Sequence, residues 1–305
     1  MGIGNFNPTI WSAGFLFNLN KAHVHADVLN RDYEGEIQAA GDTVKISSIG
    51  RVTINAYTRN SGLGGTEASP TVTAIRRPEI LQGSSLFLTI DQQEYFNFAI
   101  DDVDAFQQKP KLMDKAMKEA AYAMANEVDQ FVNSTLQTGV SGTADDTGNR
   151  LSARSIGVGA GDDDAYEMLV DLGVKLQESD VTGPMWSIIP PWMHGMLLKD
   201  VRFTNYGTEQ NRSVLENGLI GRAAGFELRV SNNLSGTTSG TLAVAGQAYT
   251  VLAGVKEAAT YAEQIQSIEA FRPDDAFGDA VKGLHNYGAK VTRPFALASC
   301  AVTQA

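Results

Sequence analysis

Cysteine is almost missing from this chain of 305 residues, and Cys300 is its single example. No intramolecular disulfide can form, and zinc sites built from several thiolates are excluded. A reducing compartment is the natural setting. Long apolar runs are lacking as well. No stretch approaches the roughly 18 residues needed to span a bilayer. Met1 to Asn20 lacks the basic start and apolar run of a signal peptide. The expectation is a chain made in the cytoplasm, with no membrane partner. Positive charge is scarce: 24 Lys and Arg against 35 Asp and Glu leave a net charge of -11. Gripping nucleic acid needs clustered cations, so that class is disfavoured. A wall that merely encloses nucleic acid faces no such demand.

What is present is enough to bury a core, since hydrophobic residues make up 43% of the chain. Residues 1–42 read as an arm, with Phe6, Trp11, Phe15, Phe17 and Leu19 scattered among Asn and Gly. Aromatics are unusual in a free tail, so this arm is expected to lie on its own domain or on a neighbouring subunit. Thr43 to Thr58 is rich in β-branched residues and partly alternates, as a half-buried strand does. Asn60 to Pro70 is turn chemistry, and Thr71 to Leu88 reads as a return strand. Together they predict a long hairpin, which is marginal in water unless something covers it. Five basic residues between Val44 and Ile90 (Lys45, Arg51, Arg59, Arg76, Arg77) against Glu67 and Glu79 leave this stretch at plus three. It is either a solvated face or a positive finger for an acidic surface. The acidic stretch from Asp91 follows, including Asp101, Asp102 and Asp104.

Pro110 opens the clearest helix, Lys111 to about Gln137. Its apolar stripe (Leu112, Met113, Ala116, Met117, Ala120, Ala121, Met124, Val128, Phe131, Val132) recurs at spacings of three and four. Gly139 to Gly161 reads as loop. Helices are expected at Ala165 to Glu178 and Trp192 to Lys199, and a short one at Lys256 to Gln264. Strands are expected at Met185 to Ile189, Phe226 to Val230, Thr241 to Val244, Tyr249 to Leu252 and Ala280 to Val302. Regular βαβ repetition is missing, so the class is α+β.

Several places carry residue types that chemistry would use. Gly157, Gly159 and Gly161 break the dinucleotide-loop spacing and run into Asp162, Asp163 and Asp164, so a linker is the plainer account. His23, His25 and Asp27 would share one face of a strand and could hold a metal, but a fourth ligand is not evident. His194 and His285 have no evident carboxylate or nucleophile partner in sequence. Cys300 sits in an apolar strand and reads as packed. Asp274, Asp275 and Asp279 read as a polar turn. No catalytic constellation, metal or cofactor is expected, so the chain is not read as an enzyme.

Three stretches carry a resemblance. NRDYEGEIQAAGDTVKI (Asn30 to Ile46), ENGLIGRAAGFELRVSNNL (Glu216 to Leu234) and VKGLHNYGAKVTRPFALA (Val281 to Ala298) resemble, in order, passages of tailed-bacteriophage major capsid proteins. The resemblance covers nearly the whole chain and implies the Hong Kong 97 fold. It implies an N-terminal arm (1–42), an extended loop (43–90) and a peripheral domain with a spine helix (91–149). An axial domain (150–271) and a C-terminal return to the peripheral domain (272–305) complete the plan. It also implies a virion protein that self-assembles, through pentamers and hexamers, into an icosahedral shell around double-stranded DNA. Scaffolding, portal and decoration proteins are its expected partners. The expected inter-subunit residues are Trp11, Arg51, Arg59, Arg76, Arg77, Asp101, Asp102 and Asp104. Some family members weld the shell by an isopeptide bond from a hairpin lysine to an asparagine. Here the hairpin beyond Lys45 holds arginines only, so no such bond is expected. No long charged helical segment precedes the arm, so any scaffold is expected to be a separate protein. A cellular nanocompartment shell of the same fold is the nearest rival reading, and a soluble α+β enzyme the more distant one.

Overall fold

The structure is a computed structural model that describes residues 23–33, 43–49, 53–54, 83–101, 112–142, 148–157, 162–200, 221–234, 248–274 and 278–305. Strands β1 (Thr43–Ile49) and β2 (Gly83–Thr89) pair antiparallel as the hairpin stem, from Thr43 opposite Thr89 to Ile49 opposite Gly83. Strand β3 (Gln92–Asp101) leads to the long helix α1 (Leu112–Gly139). The middle of the chain supplies β4 (Arg150–Ile156), α2 (Ala165–Glu178), β5 (Met185–Ile189), α3 (Pro191–Lys199), β6 (Arg222–Ala223) and β7 (Phe226–Val230). Four long strands close it: β8 (Ala248–Val255), β9 (Ala259–Phe271), β10 (Gly278–Val291) and β11 (Leu297–Gln304).

Two further sheets result. One is antiparallel, in the order β3-β10-β9. The other is mixed and six-stranded, in the order β4-β11-β8-β5-β7-β6. Helices α2 and α3 cover one face of the larger sheet. Met168, Leu169, Leu172 and Leu176 of α2 and Met193 and Leu197 of α3 pack on Ile189, Val251, Ala253, Cys300 and Val302. The opposite face carries Trp186, Ile188, Leu252 and Leu297 into a second cluster, which receives Val128, Val132 and Leu136 of α1. A sheet buried on both faces needs apolar side chains in succession, which is why β5 reads MWSII without alternation.

Helix α1 has 28 residues, so it is about 42 Å long at 1.5 Å per residue. Its buried positions, Met117, Ala121, Met124, Ala125, Val128, Val132 and Leu136, keep the helical spacing. The first half lies on the three-stranded sheet against Val281, Phe96 and Phe98. The second half reaches the larger sheet. One rigid rod therefore joins both sheets.

Several expectations need correction. Lys256 to Gln264 is not a helix: a single 3-10 turn at Lys256–Ala258 enters β9. Ala, Glu and Gln favour a helix locally, but the ladder from Ala259 to Phe271 with β10 prevails. The acidic stretch after Asp91 contains a ten-residue strand, β3, whose even positions Phe96 and Phe98 pack inward while Tyr95 and Asn97 face out. Part of the loop expected at Gly139 to Gly161 is β4, parallel to β11. Ala280 to Val302 is two strands in two different sheets. Strand β9 lies with β3 and β10, and β11 lies with β4 and β8. The strand expected at Thr241 to Val244 falls outside the described residues, while α1, α2, α3, β5, β7 and the core of β8 lie where sequence places them.

Candidate functional site

The hairpin stem presents the first candidate surface. Alternation across the stem sorts its side chains. Val44 and Leu88, a register pair, are buried with Ile90 against Ala262 of β9, while Ile46 packs at the margin. Lys45 and Phe87, the next pair, face outward. Phe87 is 53% exposed and Ile54 is 94% exposed. The root of the stem sits directly on β10 at Gly288. A Cβ there would lie 2.4 Å from the Thr89 carbonyl oxygen, so glycine alone allows the approach.

The outer face of the three-stranded sheet is a second surface. Tyr95 is 76% exposed there, beside a shallow recess shared with Asn97, Leu284 and the Lys282–Glu269 ion pair at 3.0 Å. Lys282 also lies over the Phe271 ring at 5.2 Å. Tyr122 of α1, Val170 and Val174 of α2, and Phe295 between β10 and β11 are exposed on other sides. Single exposed apolar residues are ordinary. Here they fall on several different elements of the fold.

The third region is segment 23–33, the described part of the arm, which packs on its own domain. Ala26, Val28 and Leu29 are buried beside α1. Asn30 adds a parallel bridge to Thr260 on β9, with bonds of 3.1 Å to the Ala259 carbonyl and 2.9 Å from the Tyr261 amide. Asp129 of α1 accepts from the backbone N–H groups of Val24 (2.8 Å), His25 (3.1 Å) and Ala26 (3.3 Å). His23 and His25 lie 3.7 Å from the same carboxylate. These neighbours hold Asp129 well below the usual carboxylate range, against burial, which pushes the other way. Glu263 of β9 is likewise depressed against burial, by His23, His285 and the Tyr261 hydroxyl, which donates to it at 2.7 Å. Arg31 donates to Glu263 at 3.0 Å.

Sequence reasoning missed this cluster, because Asp129 and Glu263 are more than a hundred residues from His23. The metal reading of His23, His25 and Asp27 does not hold. The segment is a 3-10 turn at Ala26–Val28, not a strand, so Asp27 does not continue the face of His23 and His25. The two histidines face Asp129, while Asp27 pairs with Arg229 at 3.3 Å. Among the described residues no group of three His, Cys, Asp or Glu is arranged to hold a metal. His285 does have a carboxylate partner, Glu263, at 3.4 Å across the sheet. His194 is held below its ordinary value by burial. The Cys300 thiol is buried and donates to the Ser152 carbonyl at 3.5 Å. Asp164 caps α2, accepting from the Tyr166 amide at 3.1 Å, which places this acidic run at a helix start.

Of the expected inter-subunit residues, Asp101 ends β3, opposite Gly278 of β10. Trp11, Arg51, Arg59, Arg76, Arg77, Asp102 and Asp104 lie outside the described residues.

A family model described as phage capsid protein matches residues 88–299, more than two thirds of the chain. No curated protein sequence matches it. Among solved structures, the chain resembles a protein of Mycobacterium phage Che8 with a TM-score of 0.66 and 24% identity, over 91% of this chain and 90% of that one. It resembles the capsid of cyanophage P-SCSP1u with a TM-score of 0.62 and 15% identity, over 88% and 85%. A virus-like particle from Pyrococcus furiosus follows with a TM-score of 0.51 and 13% identity, over 94% and 96%.

Proposed function

The chain belongs to the phage capsid protein family, and from that premise we propose how its surfaces build a shell. It is a major capsid protein of Hong Kong 97-type fold, a self-assembling structural component of the virion. Subunits join by heterologous contacts that close into rings of five and six, and the rings close into an icosahedral shell around double-stranded DNA. The net charge of -11 suits a wall that must not adhere to what it encloses. The chain contributes no catalysis. Scaffolding, portal and decoration proteins are its partners in this reading, and assembly takes place in the host cytoplasm.

Within the shell, residues 43–90 form the loop that crosses a neighbour, and residues 1–42 the arm. Residues 91–149, with 272–305, form the peripheral part, and 150–271 the axial part. Arg51, Arg59, Arg76 and Arg77 meet Asp101, Asp102 and Asp104 of the next copy, and Trp11 packs on it. Exposed ion pairs contribute only about 0–1 kcal/mol each. Apolar cover over Phe87, Ile54 and Tyr95, repeated across many copies, supplies the rest.

The observation that carries this reading is the family match over residues 88–299. It is supported by a hairpin stem that is seated on its own body and still leaves Phe87 outside. Negative-stain microscopy of the purified protein tests it. Closed shells are expected, and a monodisperse single subunit under all assembly conditions overturns it. The likeness to the Pyrococcus furiosus virus-like particle supports a second reading, a cellular compartment shell. Nuclease-protected DNA inside native particles selects the phage shell; a protein cargo without DNA selects the compartment.

A further inference from the structure

His23 is fully buried between two carboxylates from different elements. Its Nδ1 is 3.7 Å from Asp129 Oδ1 of α1, and its Nε2 is 3.6 Å from Glu263 Oε2 of β9. A neutral imidazole has one N–H and one lone pair. Whichever nitrogen kept the lone pair would turn it toward an anion. Only the imidazolium offers a proton to both sides.

The charge balance points the same way. Segment 23–33 brings His25, 3.7 Å from Asp129, and Arg31, 3.0 Å from Glu263. From β9, Tyr261 donates to Glu263, and its ring is 6.2 Å from that of His23. From β10, His285 is 3.4 Å from Glu263, and Tyr287 donates to Glu94 of β3 at 2.9 Å. Among the described residues, the fixed cation beside this pair of carboxylates is Arg31, on Glu263. A buried anion left unmatched is costly, and one imidazolium supplies the missing charge.

We propose that His23 is a proton-operated clip: its imidazolium pins segment 23–33 to α1 and β9, and loss of the proton releases the segment. Release would uncover Ala26, Val28 and Leu29 and free the β9 edge that Asn30 bridges. Burial favours the neutral ring, but Asp129 and Glu263 outweigh it and hold the His23 proton up to about 9. The folded value lies above the ordinary 6.5, so the contribution to docking is complete below pH 6.5 and is lost as pH rises through about 9. The clip operates within one subunit and does not depend on the shell.

Hydrogen exchange of the full-length, unassembled subunit between pH 6 and 10, corrected for intrinsic exchange, tests it. The reporters are the amides of Val24, His25 and Ala26 and that of Asn30, with β8 as the internal reference. Protection of the reporters is expected to fall at least tenfold between pH 7 and pH 10 while β8 holds. His23→Gln is expected to show the low value already at pH 7, without further pH dependence. Flat protection in the unmodified chain overturns the clip. So does His23→Gln behaving like the parent, or β8 opening in step with the segment. Should His23→Gln not fold, Glu263→Gln is expected to move the release midpoint toward acid, and an unmoved midpoint is equally fatal.

Discussion

Asn149 and Ser179 meet at 2.9 Å, the serine hydroxyl donating to the amide oxygen. The amide nitrogen of Asn149 donates in turn to the carbonyls of Phe295 (2.6 Å) and Leu297 (3.0 Å). One buried side chain thereby ties the start of β4 to the end of α2 and to the link between β10 and β11. Asn149→Ala strips a donor from two carbonyls, while the Ser179 hydroxyl keeps the Lys175 carbonyl. At about 1–3 kcal/mol for each buried group left unmatched, a loss of about 2–4 kcal/mol is expected. Urea unfolding of the subunit measures it. Asn149→Asp sets a carboxylate against two carbonyl oxygens and is expected to be worse than alanine at pH 7.

The hairpin root should be sensitive to a single methyl group. Gly288→Ala brings a Cβ within 2.4 Å of the Thr89 carbonyl oxygen, a backbone atom that moves only if β2 lifts. The expected outcome is a folded subunit that is destabilised by about 1–3 kcal/mol and builds aberrant or no particles. Circular dichroism and electron microscopy read the two effects separately. Normal particles would mean that the stem's seating tolerates displacement.

The turn between β6 and β7 offers a stabilising change. Ala224 and Gly225 both have positive φ, 51° and 85°, between the paired residues Ala223 and Phe226. Two-residue hairpin turns of this kind favour Asn-Gly, and alanine is strained in the left-handed region. Ala224→Asn is expected to add about 1 kcal/mol and to raise Tm by about 2–4 °C in a thermal melt.

Acid should loosen segment 23–33 from the other side. Asp129 and Glu263 are both depressed in the folded state, so their contribution is present above their ordinary values of 3.8 and 4.5 and is lost as pH falls below them. The subunit's urea midpoint is expected to decline from about pH 4.5 downward. Asp129→Asn should flatten part of that slope while costing about 3 kcal/mol at pH 7, since a buried charge network loses one partner. An unchanged slope would assign acid sensitivity to other carboxylates.

Covalent welding of the shell is not expected. The stretch between Val44 and Ile90 holds Lys45 and four arginines, and guanidinium stays protonated and is a poor nucleophile. Particles boiled in detergent should run as one subunit band. A ladder of covalent multimers would refute this.

Periodicity exposed the helices well, because Met117, Ala121, Met124, Val128 and Val132 bear their burial on one stripe. It exposed β5 and β7 as short apolar runs between breakers. Strand β9 escaped because AEQIQSIEA has helical propensity locally, and only the partner strand β10 decides otherwise. Strand β3 escaped because its acidic and amide residues mask an alternation that Phe96 and Phe98 anchor. The His23 cluster was invisible for a related reason. Its carboxylates come from a helix and a strand remote in the chain, and spacing in sequence carries no trace of that meeting.

Strand β11 lies between β4 and β8, so the middle of the larger sheet is filled by residues 297–304. Translation delivers β4 and β8 first and leaves a slot between them. Until those closing residues leave the ribosome, Leu252 and Val251 have no neighbour strand on that side, and the half-made subunit lacks a finished body to offer a sister copy. Without residues 297–304 the larger sheet falls into two pieces, β4 on one side and β8-β5-β7-β6 on the other.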